Sequence, residues 1–327
     1  YKKQISQHLK NNKKVVVYVS MCSGENRDKR IEYLFKRREK KMLIIDEADY
    51  GVHRENQITP LLKARKPNDR VLIMTGTNGD RAASSWDIDH YIGVTYQELI
   101  VNKNAKKPYD SSRLKYFDYS LVRDKLTVDC QFYQLDLKDV VKQTESSWYD
   151  SEEFKDDLLP SWSKFAANPM RAKGFWTRML EAMLLGRHNT DSVNIDHQAL
   201  ASSRKVSMMF LPGNITNENL RHAVTMASEV LTNFIVVGLS GYNKVSNRNV
   251  EQVAKDAIDL ANYENKNLLL ISANIGQRSF SLEHITDLFL AYDKGEAGAT
   301  TQKVSRVLTS EKFVRKKPKT GRVWNMS

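Results

Sequence analysis

Cysteine is nearly absent, with 2 in 327 residues, Cys22 and Cys130. They lie far apart and show no metal-ligand spacing, so a zinc site is unsupported and a reducing, cytoplasmic interior is the simplest compartment. Long apolar runs are missing as well. None approaches the ~20 residues that cross a bilayer, and no signal-peptide pattern is present, so no membrane partner is expected. The phosphate-cradling pattern Gly-x-x-x-x-Gly-Lys-Ser/Thr does not occur, and the chain contains no Gly-Lys dipeptide at all. The first residue is Tyr1 rather than Met, which leads to the expectation of a piece of a longer or processed protein.

The length leaves room for two domains with their own cores. Lys plus Arg outnumber Asp plus Glu by 51 to 39, a formal net charge of +12, so a polyanionic partner is expected. The excess is clustered at Lys10 to Lys14, Lys36 to Lys41, Lys103 to Lys107 and Lys312 to Arg322. Taken singly, each cluster fits a solvated face equally well.

Met42-Leu43-Ile44-Ile45 runs straight into Asp46-Glu47-Ala48-Asp49. Four apolar residues ahead of three carboxylates have the form of a central parallel strand whose carboxyl end opens onto a ligand crevice. Carboxylates placed there can hold a divalent cation through oxygen, and one can orient a water for attack on a phosphoryl group. Acids after a strand are also common without any ligand.

Around this stretch the pattern alternates. Val15 to Ser20 is β-branched and predicts a buried strand, and Ile31, Leu34 and Phe35 mark a helical face. Residues 56–66 form a second amphipathic stretch, and Arg70 to Met74 predicts a strand ending in Thr75-Gly76-Thr77. From Asn102 to Arg204 the pattern loosens, with a strand expected over Val128 to Leu137 and an apolar helical face at Phe175, Met179, Leu180, Met183, Leu184 and Leu185. A second block begins at Val206 to Phe210. It continues through a helix carrying Leu220, Val224, Ala227 and Leu231, strand Phe234 to Val237, helix Val250 to Asn262, and strands Leu268 to Ile271 and Asp287 to Tyr292. Strand-helix-strand alternation predicts α/β architecture with parallel sheets.

Asp46-Glu47-Ala48-Asp49 resembles the second motif of the superfamily-two helicases and translocases of the DEAD/DEAH type. Thr75-Gly76-Thr77 stands where their third motif lies. Gly276-Gln277-Arg278-Ser279-Phe280-Ser281 resembles the fifth, with Ser279 in place of the usual glycine. Gln302-Lys303-Val304-Ser305-Arg306 is similar to the sixth, with Lys303 and Ser305 departing from it.

The resemblance implies two RecA-like doubly wound parallel-sheet domains, the first incomplete, with a partly helical connector. The expected division is 1–120, 121–204 and 205–327, the last with a basic tail. It implies an ATP-dependent helicase or translocase acting on DNA or RNA, with ATP and Mg2+ as cofactors. Asp46 would hold Mg2+, through water, and Glu47 would orient the attacking water. Asp49 with Thr75, Gly76 and Thr77 would couple the nucleotide site to the rest of the machine. Gly276, Gln302 and Arg306 would face the nucleotide, with Arg306 stabilising the transferring phosphate, while Arg278 and Ser279 would meet nucleic acid. The more distant arginine that many relatives use falls on Thr309 here. In this family the phosphate loop lies upstream of the acid strand. Truncation before that loop and loss of the loop both fit, and the non-Met start with the intact Asp46-Glu47-Ala48-Asp49 leads to the expectation of truncation. Two further readings stand beside the motor: a catalytically silent nucleic-acid-binding module, and the motor part of a restriction or phage nuclease.

Overall fold

The structure, a computed structural model, describes residues 2–11, 14–17, 25–36, 40–45, 66–74, 128–135, 169–187, 197–212, 215–239, 250–272, 282, 284–291, 300, 303, 304, 306, 307 and 320–326. The chain forms two compact units, Tyr1–Gly93 and Val94–Ser327. Among the described residues no helix is long and apolar enough to cross a membrane.

The first unit contains α1 (Lys2–Lys10), α2 (Glu25–Lys36), β1 (Met42–Ile45) and β2 (Arg70–Ile73). Helix α1 buries Ile5 and docks on α2 through Tyr33, whose hydroxyl donates to the Lys2 carbonyl oxygen at 3.3 Å and shares a hydrogen bond with Ser6 Oγ at 3.1 Å. β1 and β2 pair in parallel from Met42 with Arg70 to Ile45 with Ile73.

Asp69 staples the amino ends of this pair, accepting from the backbone N–H of Lys41 at 3.1 Å and of Lys66 at 3.0 Å. Burial pushes the Asp69 carboxyl up. The two backbone donors and the charges of Lys41 and Lys66 outweigh that push and hold it below the usual carboxylate value.

The β-branched run at residue 15 does not behave as expected. Lys14–Val17 carry no strand, and Val16 is 91% exposed, while Tyr18 to Ser20 of the expected strand lie outside the described residues. β-propensity is mainly a preference for packing on a pleated, half-buried surface, and Val16 meets no such surface.

The second unit is built on a six-stranded sheet of β3 (Asp129–Leu135), β4 (Val206–Phe210), β5 (Phe234–Leu239), β6 (Asn267–Ser272), β7 (Asp287–Leu290) and β8 (Thr320–Met326). Its order is β3-β8-β7-β4-β6-β5, and every neighbouring pair is parallel. Among its described residues the unit also has α-helices α3 (Lys173–Leu185), α4 (His197–Ser202), α5 (Asn217–Val230) and α6 (Val250–Tyr263).

Strand alternation divides the core into two layers. Met209, Leu269, Ile271, Phe289 and Trp324 point to the face covered by α3 and α5. Met208, Phe210, Leu268, Leu270, Leu288 and Val323 point to the face covered by α6. Burial on both faces is why β4 and β6 read as continuous apolar runs. The α/β class with a parallel sheet expected from the alternation is present.

Helix ends are set locally. Thr216 caps α5, its hydroxyl accepting from Asn219 N–H at 3.2 Å. α3 ends at Gly186, with φ 65°, and the next N–H, of Arg187, returns to the Glu181 carbonyl at 3.0 Å. Asn265, with φ 51°, does the same after α6 and sends the chain into β6.

Two features lay outside the alternation seen in sequence. The strand expected within residues 121–204 is the edge strand of the second unit's sheet, beside β8. The residues closing the expected basic tail form β8, an inner strand between β3 and β7. The lysine-rich run before Thr320 hides the short alternation Arg322, Val323, Trp324.

Candidate functional site

Among the residues singled out for chemistry, Arg306 is described. Asp46, Glu47, Asp49, Thr75, Gly76, Thr77, Gly276, Arg278, Ser279 and Gln302 lie outside the described residues, as does the 56–65 part of the second amphipathic stretch. The structure describes the residues from which most of these segments grow.

In the first unit, β1 ends at the buried Ile45, and the chain after β2 reaches Met74, whose N–H donates to the Ile45 carbonyl oxygen at 2.8 Å. The parallel ladder thus extends one step past β2. The acid motif and the Thr-Gly-Thr turn begin at the residues directly following these two hydrogen-bonded neighbours.

In the second unit, the connection after β4 leaves over one face, through α5. In the connection after β6, the described residues Leu282 and Ile285 pack on the other. The carboxyl ends of β4 and β6 are neighbours, tied by Leu211 N–H to the Ser272 carbonyl at 2.8 Å. Adjacent parallel strands whose connections depart over opposite faces make a topological switch point, the place where open α/β sheets bind ligands. Gly276, Arg278 and Ser279 follow Ser272 by four to seven residues in sequence.

Arg306 sits in a turn held by Arg306 N–H to the Lys303 carbonyl and Val307 N–H to the Val304 carbonyl, both 3.1 Å. Val307 is fully buried and lies on Gly321, where an added Cβ would stand 3.1 Å from the Val307 carbonyl oxygen and 3.2 Å from its Cβ. Gly321 is the second residue of β8, so Val307 is anchored near the amino end of that strand.

One turn earlier, Lys303 is buried, with its ammonium 5.9 Å from the ring of Phe210, the last residue of β4. Lys303, which the motif comparison marked only as a departure, therefore brings a positive charge close to the switch point. Arg306 is half-buried beside it.

A separate polar cluster occupies the amino ends of β4, β7 and β8. Asp287, fully buried, accepts from Arg322 Nη2 at 2.7 Å, Trp324 Nε1 at 3.2 Å and the Thr286 hydroxyl at 2.8 Å. Arg322 also donates to Ser203 Oγ at 2.7 Å. Arg204, fully buried, pairs with Asp287 at 3.5 Å, donates to the Met183 carbonyl oxygen, and lies 4.3 Å over the Trp324 ring. Burial pulls the Arg204 guanidinium down to about 10; Asp287 opposes the fall and Arg322 adds to it, and the group stays charged at neutral pH.

Tyr133, Trp324 and Phe289 are register partners across β3, β8 and β7 and stack as a ladder, with centroids 4.3 Å and 6.0 Å apart. The cluster joins three strands at the edge opposite the switch point, which is a structural role. Sequence reasoning had no signal for it, because its members are spread from Tyr133 to Trp324.

No family model matches the chain, and no curated protein matches it. Solved structures do show similarity. S. cerevisiae Dbp5 bound to RNA and ADP BeF3 is 11% identical, with a TM-score of 0.37 over 88% of this chain and 53% of that one. A point variant of the same protein in the same bound state is 11% identical, with a TM-score of 0.40 over 92% of this chain and 56% of that one. The ATP-dependent Type ISP restriction-modification enzyme LlaBIII bound to DNA is 13% identical, with a TM-score of 0.46 over 90% of this chain and 19% of that one. The chain thus spans roughly half the length of the Dbp5 chains and about a fifth of LlaBIII.

Proposed function

We propose that this chain is the core of an ATP-dependent motor on DNA or RNA, a helicase or translocase of the DEAD/DEAH type. The observation that supports it most is the hydrogen bond from Met74 to Ile45. It roots the acid motif and the Thr-Gly-Thr turn on adjacent parallel strands, the arrangement in which hydroxyls can reach the preceding carboxylates. The switch point of the second sheet, with Lys303 near it, supports a phosphate-facing role for the segments that follow.

In this reading Asp46 would hold Mg2+ and Glu47 would orient the nucleophilic water. Asp49, Thr75 and Thr77 couple the site to movement, and Gly276, Gln302 and Arg306 face the nucleotide. Arg278 and Ser279 contact the nucleic acid backbone. The donor set fits the metal, since Asp46, Glu47 and Asp49 offer only carboxylate oxygens, the ligands a hard cation takes. When bound, Mg2+ supplies charge neutralisation on the β- and γ-phosphates.

Residues 1–327 contain no Gly-Lys loop, so this stretch alone is expected to hydrolyse little or no ATP. The test uses a protein extended upstream to include a glycine-rich phosphate loop. Glu47→Gln should lower kcat about 100-fold or more while nucleotide still binds. Turnover untouched by that substitution sinks the assignment, and absence of turnover in both proteins favours a silent nucleic-acid-binding module.

A further inference from the structure

Among the described residues, α2, α3 and α6 each pair a cation with an acid one turn away. In α2, Lys36 pairs with Glu32 at 2.5 Å. In α3, Arg178 pairs with Glu181 at 3.1 Å, and in α6, Lys255 pairs with Glu251 at 2.6 Å. Helix α1 departs from this habit. Its sequence, KKQISQHLK, contains no acid. Lys3, Gln7 and Lys10 recur at i, i+4 and i+7 and are all exposed, which places them along one side of the helix. Neither Lys3 nor Lys10 has an ion-pair partner among the described residues. Lys2 and Lys3 also oppose the helix dipole at its amino end, where an acid would stabilise. Exposed Lys14 extends the same charge beyond the helix.

We infer that the Lys3-Gln7-Lys10 side of α1 is a docking surface for the phosphate backbone of single-stranded nucleic acid. Two ammonium groups two helical turns apart, about 10 Å, span neighbouring phosphates, and the Gln7 amide between them hydrogen-bonds sugar or phosphate oxygens without demanding sequence. A membrane surface fits less well. The apolar side of α1 is spent inside the protein, since Ile5 is buried and Leu9 half-buried against it, whereas the outward side carries amides at Gln4, Gln7 and Asn11. Interfacial helices need an apolar face turned outward. The inference shares its partner class with the motor reading but needs no hydrolysis.

The test is fluorescence anisotropy of labelled 15-nucleotide oligo(dT) and oligo(U) against residues 1–327, titrated between about 50 and 200 mM salt. The Lys3→Gln/Lys10→Gln double variant should bind more weakly and lose about 1.4 from the magnitude of the log–log salt slope, two contacts at about 0.7 each. Lys3→Arg/Lys10→Arg should restore binding, and Lys255→Gln should keep the wild-type slope. Matching thermal unfolding would confirm that the exposed substitutions leave the fold intact. An unchanged slope in the double variant overturns the role of α1 and leaves the motor reading standing. A wild-type chain with no salt-dependent binding overturns both the surface and its partner. Loss of binding to phosphatidylserine vesicles with oligonucleotide binding untouched overturns it in favour of a membrane. A slope that falls as stated in a protein whose extended form never hydrolyses ATP supports the surface and removes the motor.

Discussion

Asp287 and Arg322 face each other as register partners on β7 and β8, joined by a 2.7 Å charge-assisted hydrogen bond in a place almost closed to water. With Arg204 on the other carboxylate oxygen, one acid serves two guanidinium groups. Asp287→Asn leaves both cations buried without a counter-charge and should cost about 3–5 kcal/mol, as broken buried pairs do. Trp324→Phe keeps the aromatic ladder and removes one N–H donor, for about 1 kcal/mol. Urea unfolding of the two variants checks the contrast; equal losses would show that the ladder rather than the charge holds β8.

Gly321 permits the turn carrying Arg306 to sit directly on β8. A methyl group there meets a backbone carbonyl, which cannot step aside as a flexible side-chain tip can. Gly321→Ala should cost about 1–3 kcal/mol by overpacking. The measurement is a lower urea midpoint at unchanged slope, and a neutral result would show that the 306–307 turn lifts freely.

Asp69 has its pKa depressed in the folded chain. The stabilisation from its ionised form is fully present above the unfolded value, about 3.9, and is lost as pH falls through the lower folded value. The amide proton shifts of Lys41 and Lys66, both bonded to this carboxylate, should titrate together with a midpoint under that value. Asp69→Asn should abolish the titration and flatten the acid limb of stability in the same window. A midpoint at or above the ordinary value contradicts the staple.

Burial pushes the Cys130 thiol up to about 11. At pH 8 about one molecule in a thousand carries the thiolate, so in a Cys22→Ser background alkylation by iodoacetamide should run about two orders of magnitude slower than for an ordinary thiol. The rate should rise tenfold per pH unit toward pH 11. Rapid labelling at pH 7, followed by mass spectrometry, would refute the burial at β3.

Lys303 offers a functional check in the extended, loop-bearing protein. Lys303→Met removes the charge near the end of β4 while keeping an unbranched apolar side chain of similar length. It should lower kcat at least about tenfold with little change in unfolding midpoint, and Lys303→Arg should recover most of the loss. A variant with normal turnover would place the ammonium outside the phosphate path.

Much of the framework was legible in the chain. Val206 to Phe210 and Asn267 to Ser272 announce themselves because strands buried on both faces are dominated by apolar residues. Met42 to Ile45 reads the same way and is a strand, but Met42 and Ile44 are exposed, and within this strand only Ile45 is buried. α5 and α6 show through their one-sided periodicity. Val15 to Val17 misled, since β-branching signals strand only where a sheet receives it. β8 was hidden behind lysines, and Asp287 looked like any acid at the start of a strand.

By itself the sequence determined where β1, β2, β4, β5, β6 and β7 run and which residues follow their carboxyl ends, because those signals lie within a few consecutive positions. The tertiary structure alone decided that β3 and β8 lie side by side, that Arg204 and Arg322 share Asp287 inside the protein, and that Lys303 reaches Phe210. Those pairings join residues tens to nearly two hundred positions apart, and only the packing of two helical layers on one sheet brings them within reach.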